Sequence, residues 1–149
     1  MKSANGWPAS EDQAKINIKH FPVKGTKIRL RCAAIAGPIL AAFAADFDAE
    51  VEPLEEGAFD DWSYAFRDVR GNTGTLSNHS SGTALDLNSA KHPLGKSNTF
   101  KPKQIVTIKA LCKKYQLVWG GSWKRPDDMH FEISTTKAQV KKLTKQLGL

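Results

Sequence analysis

His79 and Asp86 stand seven residues apart in Ser77-Asn78-His79-Ser80-Ser81-Gly82-Thr83-Ala84-Leu85-Asp86, and a second histidine returns far downstream in Asp127-Asp128-Met129-His130. Two imidazoles and one carboxylate can fill three corners of a tetrahedral Zn²⁺ site and leave the fourth for water. Asp127, three positions before the last histidine, is placed to act as general base toward that water, whose pKa the ion would lower to about 7. Taken singly, either histidine is more often structural than functional. The joint pattern is what points to metal-assisted hydrolysis. Asp128 is a rival base. In extended backbone, neighbouring side chains point to opposite faces, so only one of the two can face the metal. Positions 127 and 130 differ by an odd number, so a turn before the last strand has to swing Asp127 toward His130.

Other residues could serve this centre. Ser77 is a candidate donor that orients a ligand or a substrate group. Arg67 and Arg70 are candidates for holding a substrate carboxylate, because a guanidinium grips carboxylates bidentately. Their structural alternative is a surface ion pair with Asp68 or Asp61. Trp119 is expected in the core, while it or Trp123 could line a cleft. His20 and His92 have no partner spacing and read as loop or surface histidines.

These side chains need elements to carry them. Ile35, Ile39, Leu40, Phe43 and Phe47 form one apolar stripe, which predicts a helix from about Gly37 to Val51. Ile105, Ile108, Leu111, Cys112 and Tyr115 predict a second helix over Pro102 to Tyr115, with the proline at its start. A third is expected from a Thr135 or Thr136 cap to Leu147. Strands are expected at Lys27 to Cys32, at the alternating Trp62 to Val69, at Ala84 to Leu87, at Leu117 to Val118-Trp119, and at Met129 to Ile133. Arg70 to Gly74 and Asn88 to Asn98 read as loops. The first 30 residues read as an irregular lead-in. The order predicts an α+β fold: a small, mostly antiparallel sheet with flanking helices, in a single domain over residues 1–149.

The chain has 149 residues, 40% of them apolar and 25% charged, an ordinary globular composition. Cys32 and Cys112 show no metal-binding spacing and read as buried small hydrophobes. Met1 to Asn17 has no apolar run, so no signal peptide is expected, and synthesis in the cytoplasm follows. Gly37, Pro38 and Asp46 interrupt the longest apolar stretch, so no membrane insertion is expected. The net charge of +7 implies attraction to an anionic partner. The basic residues are dispersed and carry no recognised nucleic-acid motif, so nucleic acid is disfavoured. Lys137, Lys141, Lys142 and Lys145 read as a solvated helix face.

Ser77-x-His79-x-x-Gly82-x-Ala84-x-Asp86, followed by Asp127-x-x-His130-Phe131-Glu132, resembles the M15 zinc peptidases. These include D-Ala-D-Ala carboxypeptidases and dipeptidases, and L-alanyl-D-glutamate endopeptidases of bacteria and phages. The resemblance covers about Ala33 to Ser134. It implies Zn²⁺ as cofactor, with His79, Asp86 and His130 as ligands and Asp127 as the acid/base. Many members have glutamate at that place; this chain follows the Asp-x-x-His-Phe-Glu subgroup. The family also places a substrate-contacting arginine upstream of the first motif, which falls on Arg67 or Arg70. The implied fold is the small α+β zinc fold shared with murein endopeptidases and the hedgehog signalling domain. The implied activity is hydrolysis of peptidoglycan stem peptides, by an endopeptidase or a D,D-carboxypeptidase. A monomeric phage endolysin is expected, released through a holin onto an anionic cell wall. The alternative is a zinc-stabilised wall-binding module without catalysis, against which the retained Asp127 argues.

Overall fold

Helix α1 (Gly37–Glu50) forms where the apolar stripe predicts it, with Pro38 in the first turn, where a missing N–H costs little. Ile39, Leu40, Phe43, Ala44 and Phe47 along it are fully covered. Helix α2 (Pro102–Tyr115) spans the predicted range and buries Ile108, Leu111, Cys112 and Tyr115. Helix α3 (Lys137–Gln146) settles its own start. The Thr136 hydroxyl accepts from the Gln139 N–H, and the Gln139 side chain accepts from the Thr136 N–H. This computed structural model describes residues 1–57 and 59–149.

The strands make three small antiparallel sheets among the described residues. β1 (Ile18–Pro22) pairs with β2 (Arg29–Ala33), and the two-residue β3 (Asp68–Val69) pairs with β4 (Asn72–Leu76). The third sheet has the order β5 (Ala84–Asp86), β7 (His130–Ile133), β6 (Leu117–Trp119). Together with the three helices this is the expected α+β fold. The central strand β7 divides the molecule. Phe131 and Ile133 point into the core, where the Phe131 ring lies 4.7 Å from that of Phe43. His130 and Glu132 alternate with them and open onto the other face, as the two-residue strand period demands. Among the described residues, no helix is long and apolar enough to cross a membrane.

Three local expectations fail for identifiable reasons. The lead-in is not irregular. It holds the whole of β1, and Trp7 is buried with its indole N–H donating to the Thr135 carbonyl. Asn5 donates from its side chain to Thr83 Oγ1 and the Ile133 carbonyl, and from its backbone to Asn78 Oδ1. The alternating run Trp62 to Val69 is not one strand. Its backbone instead pairs piecewise, Trp62 with Asp86, Tyr64 with Arg31 and Ala65 with His79, leaving only Asp68–Val69 in a ladder. Part of the predicted loop at Arg70 to Gly74 belongs to β4, because Gly71 at φ +82° turns the chain back on itself.

Candidate metal centre

Strand register brings two of the three expected ligands together. Asp86 on β5 and His130 on β7 are direct cross-strand partners. His79 arrives from a 3-10 turn, Asn78–Ser81, that Ser77 caps by accepting the His79 N–H. Gly82 closes that turn at φ +67° and lies so tightly against β2 that a Cβ would stand 2.6 Å from the Ala33 nitrogen. Ligand atoms of His79, Asp86 and His130 all fall within 4.8 Å of one another, and all three residues are buried.

The orientation of each imidazole follows from its other nitrogen. His79 Nδ1 lies 2.6 Å from the Ser63 carbonyl, which can only accept, so Nδ1 carries the proton. Nε2 therefore presents a lone pair. It stands 3.3 Å from Asp86 Oδ2 and makes no hydrogen bond. His130 Nε2 lies 2.7 Å from Glu132 Oε2, while its Nδ1 lies 3.1 Å from Asp86 Oδ1. Carboxylate and imidazole lone pairs facing one another at these distances repel unless a cation or a proton lies between them. A divalent ion fits this donor set: His79 through Nε2, His130 through Nδ1, and the Asp86 carboxylate. The Glu132–His130 pair and the Ser63–His79 pair are the outer contacts that hold such ligands in place.

The electrostatics agree. Burial works against charge on Asp86, yet the two histidines outweigh it and hold the carboxyl well below the ordinary carboxylate range. Burial likewise disfavours protonated His130, but Asp86 and Glu132 lift the imidazole to about 9. A metal entering at neutral pH therefore displaces a proton.

Asp127, the expected general base, lines the same pocket as His79, Asp86 and His130. A turn in which the His130 N–H donates to the Asp127 carbonyl swings it into the same pocket. Its Oδ1 is buried without a partner. Burial raises its carboxyl pKa, with the Asp86 charge adding to the effect; His130, His79 and Arg70 act the other way. The rival Asp128 points elsewhere, accepting from the N–H and hydroxyl of Thr99. Gly120 makes the turn possible, since a Cβ there would lie 2.5 Å from the Asp127 carbonyl oxygen.

A pocket of about 300 Å³ gathers these groups. Arg67, Arg70 and Ser77 all line it. Arg67 is half-buried, its guanidinium carbon 5.5 Å from the Trp62 ring centre, and neither Asp68 nor Asp61 pairs with it through a carboxylate. Ser77 acts on the backbone that carries His79. Trp123 flanks the site, its ring 5.2 Å from that of His130, whereas Trp119 is buried and donates to the Asp128 carbonyl. His92 is not a loop histidine without a role. It is buried, stacked on Phe100, and bonded to Thr99 and Glu52. Through Thr99 it supports Asp128 and so the turn that aims Asp127.

Sequence reasoning gave no role to four residues of the site. Glu132 was visible in the strand period, two positions after His130. Ser63 acts through its carbonyl, which no side-chain motif records. Ser80 accepts the Arg67 N–H and donates to the Arg67 carbonyl, and Arg125 enters the pocket from a loop. Neither had a spacing signal.

Residues 70–133 match the family model described as D-alanyl-D-alanine carboxypeptidase. Over that segment the chain is similar to the M15 peptidases. The match spans His79, Asp86, Asp127 and His130, the four residues the geometry brings to one pocket. Arg70 is the first residue of the M15 match and Arg67 lies outside it. No curated protein and no solved structure matches the chain.

Proposed function

We propose that this chain is a zinc-dependent peptidase of the M15 type that hydrolyses peptide bonds in peptidoglycan stem peptides, as an L-alanyl-D-glutamate endopeptidase or a D-alanyl-D-alanine carboxypeptidase. The observation that carries the reading is the unpartnered Asp127 Oδ1 lining the pocket where His79, Asp86 and His130 converge. When bound by those three residues, Zn²⁺ supplies Lewis acidity and a water of lowered pKa.

The chain's own groups do the rest. Asp127 accepts a proton from the attacking water and returns it to the leaving amine. Its raised pKa suits both roles better than an ordinary aspartate would. Ser63 and Glu132 hold the imidazoles so that Nε2 of one and Nδ1 of the other face inward. Arg67 offers a guanidinium to a substrate carboxylate beside the reacting bond. Leu94, Met129 and Trp123 give the pocket apolar walls that limit water. The charge of +7 favours residence on an anionic cell wall, where an endolysin would act. A purely wall-binding role would have no use for a desolvated carboxylate beside the ligands, and Asp127 therefore weighs against it.

The test is digestion of purified peptidoglycan by the zinc-loaded protein, with new termini identified by mass spectrometry. New amino-terminal D-glutamate or released D-alanine is expected, and a chelator should suppress it. Absence of any new terminus would overturn the reading.

A further inference from the structure

Three guanidiniums line the pocket, and none of them has a carboxylate within 4.0 Å among the described residues. Arg67 lies deepest, half-buried, with Nε lacking any partner. Arg70 and Arg125 are exposed at the mouth. Arg125 reaches back between two turns. A Cβ on Gly71, next to Arg70, would lie 3.8 Å from its Nη1, and a Cβ on Gly95 would lie 4.0 Å from its Nε. The acidic groups of the pocket, Asp86, Asp127 and Glu132, sit with the histidines. Arg67 feels the charges of Asp86 and Asp127, yet no carboxylate of the described residues closes an ion pair with any of the three guanidiniums. Leaving a desolvated guanidinium without a counter-charge is costly, and a ligand carboxylate offsets that cost.

We propose that the pocket takes a peptide with two carboxylates, one gripped by Arg67 near the reacting bond and a second held at the mouth between Arg70 and Arg125. Arg125 is the specificity-determining residue of this second subsite. The inference rests on the peptidase reading above and adds the charge pattern of the substrate. Amidation of the second carboxylate would weaken recognition.

The probe is L-alanyl-γ-D-glutamyl-L-lysyl-D-alanyl-D-alanine, with free carboxylates on the glutamyl residue and at the C-terminus, alongside two analogues amidated at one or the other. Wild-type kcat/KM should fall about ten- to a hundred-fold for each analogue, the usual range for a lost charge-assisted contact. Arg125→Gln should shrink the penalty for one analogue to near unity and leave the other penalty in place. Arg125→Glu should reverse the first preference. If Arg125→Gln leaves both ratios at their wild-type values, or if wild type cuts all three peptides equally, the subsite is wrong while the peptidase reading stands. If no peptide is cut, the peptidase reading fails. The subsite is then judged by calorimetric binding of the same three peptides, where equal affinities overturn it as well.

Discussion

Removal of Glu132 tests the assignment of ligand atoms at His130. The Glu132 carboxylate lies 2.7 Å from His130 Nε2, with its side chain only 17% exposed, and its pKa stays below the ordinary value although burial opposes this, because of the His130 contact. If Nδ1 is the atom that faces the ion, Glu132 holds the ring and enhances its basicity without touching the metal. Loss of such a contact costs about ten- to a hundred-fold in metal affinity, or about 1.4–2.8 kcal/mol. Glu132→Gln keeps an oxygen that can accept the Nε2 proton and should sit near the lower end. Glu132→Ala loses both charge and acceptor and should sit near the upper end. The assay is competition for Zn²⁺ against a chromophoric chelator at fixed pH, with circular dichroism to confirm the fold. An unchanged zinc affinity in Glu132→Ala would refute the reasoning. A loss beyond about a thousand-fold would instead mark Glu132 as a ligand in its own right and move the ion to Nε2.

Asp127→Asn should keep zinc stoichiometry and lower kcat by about a hundred-fold or more, the range for a lost general acid/base; near-normal turnover on peptidoglycan would remove Asp127 from the mechanism. Burial raises the Glu52 pKa, but the hydrogen bonds from His92 and Asn88 outweigh it and leave it below the ordinary 4.5. A depressed folded pKa gives stability that is present above 4.5 and is lost as the pH falls through the lower folded value. Glu52→Gln should therefore destabilise the metal-free chain by about 1–3 kcal/mol at pH 7, with the gap narrowing in acid; urea titrations showing one constant gap at pH 7 and pH 3 would contradict this. Burial pushes the thiols of both Cys32 and Cys112 up to about 12, so the folded chain should resist a thiol reagent at pH 8 and release both groups on unfolding. Rapid labelling of the native protein would contradict the buried placement.

What could be read from the chain was whatever depends on residue type and short spacing. The two histidines, Asp86 and Asp127 carry chemistry that few other residues supply, so their pattern was enough to name the donor set. Helix α2 was legible to its ends because Pro102 and an unbroken 3.6-residue stripe act locally. The odd spacing of 127 and 130 even required the turn that the structure contains. The alternation from Trp62 to Val69 misled because periodicity reports an extended backbone and says nothing of how many partners share it. Only the tertiary structure decided that Asn5 and Trp7 pin the start of the chain to Asn78 and Thr135, that the Ser63 carbonyl sets the His79 tautomer, and that His92 leans on Glu52 forty residues away. It also decided that Arg125 faces the pocket. Each of these is a contact between segments distant in sequence, whose position follows from how the helices and sheets bury their apolar faces together, and no local pattern encodes which distant group will be waiting there.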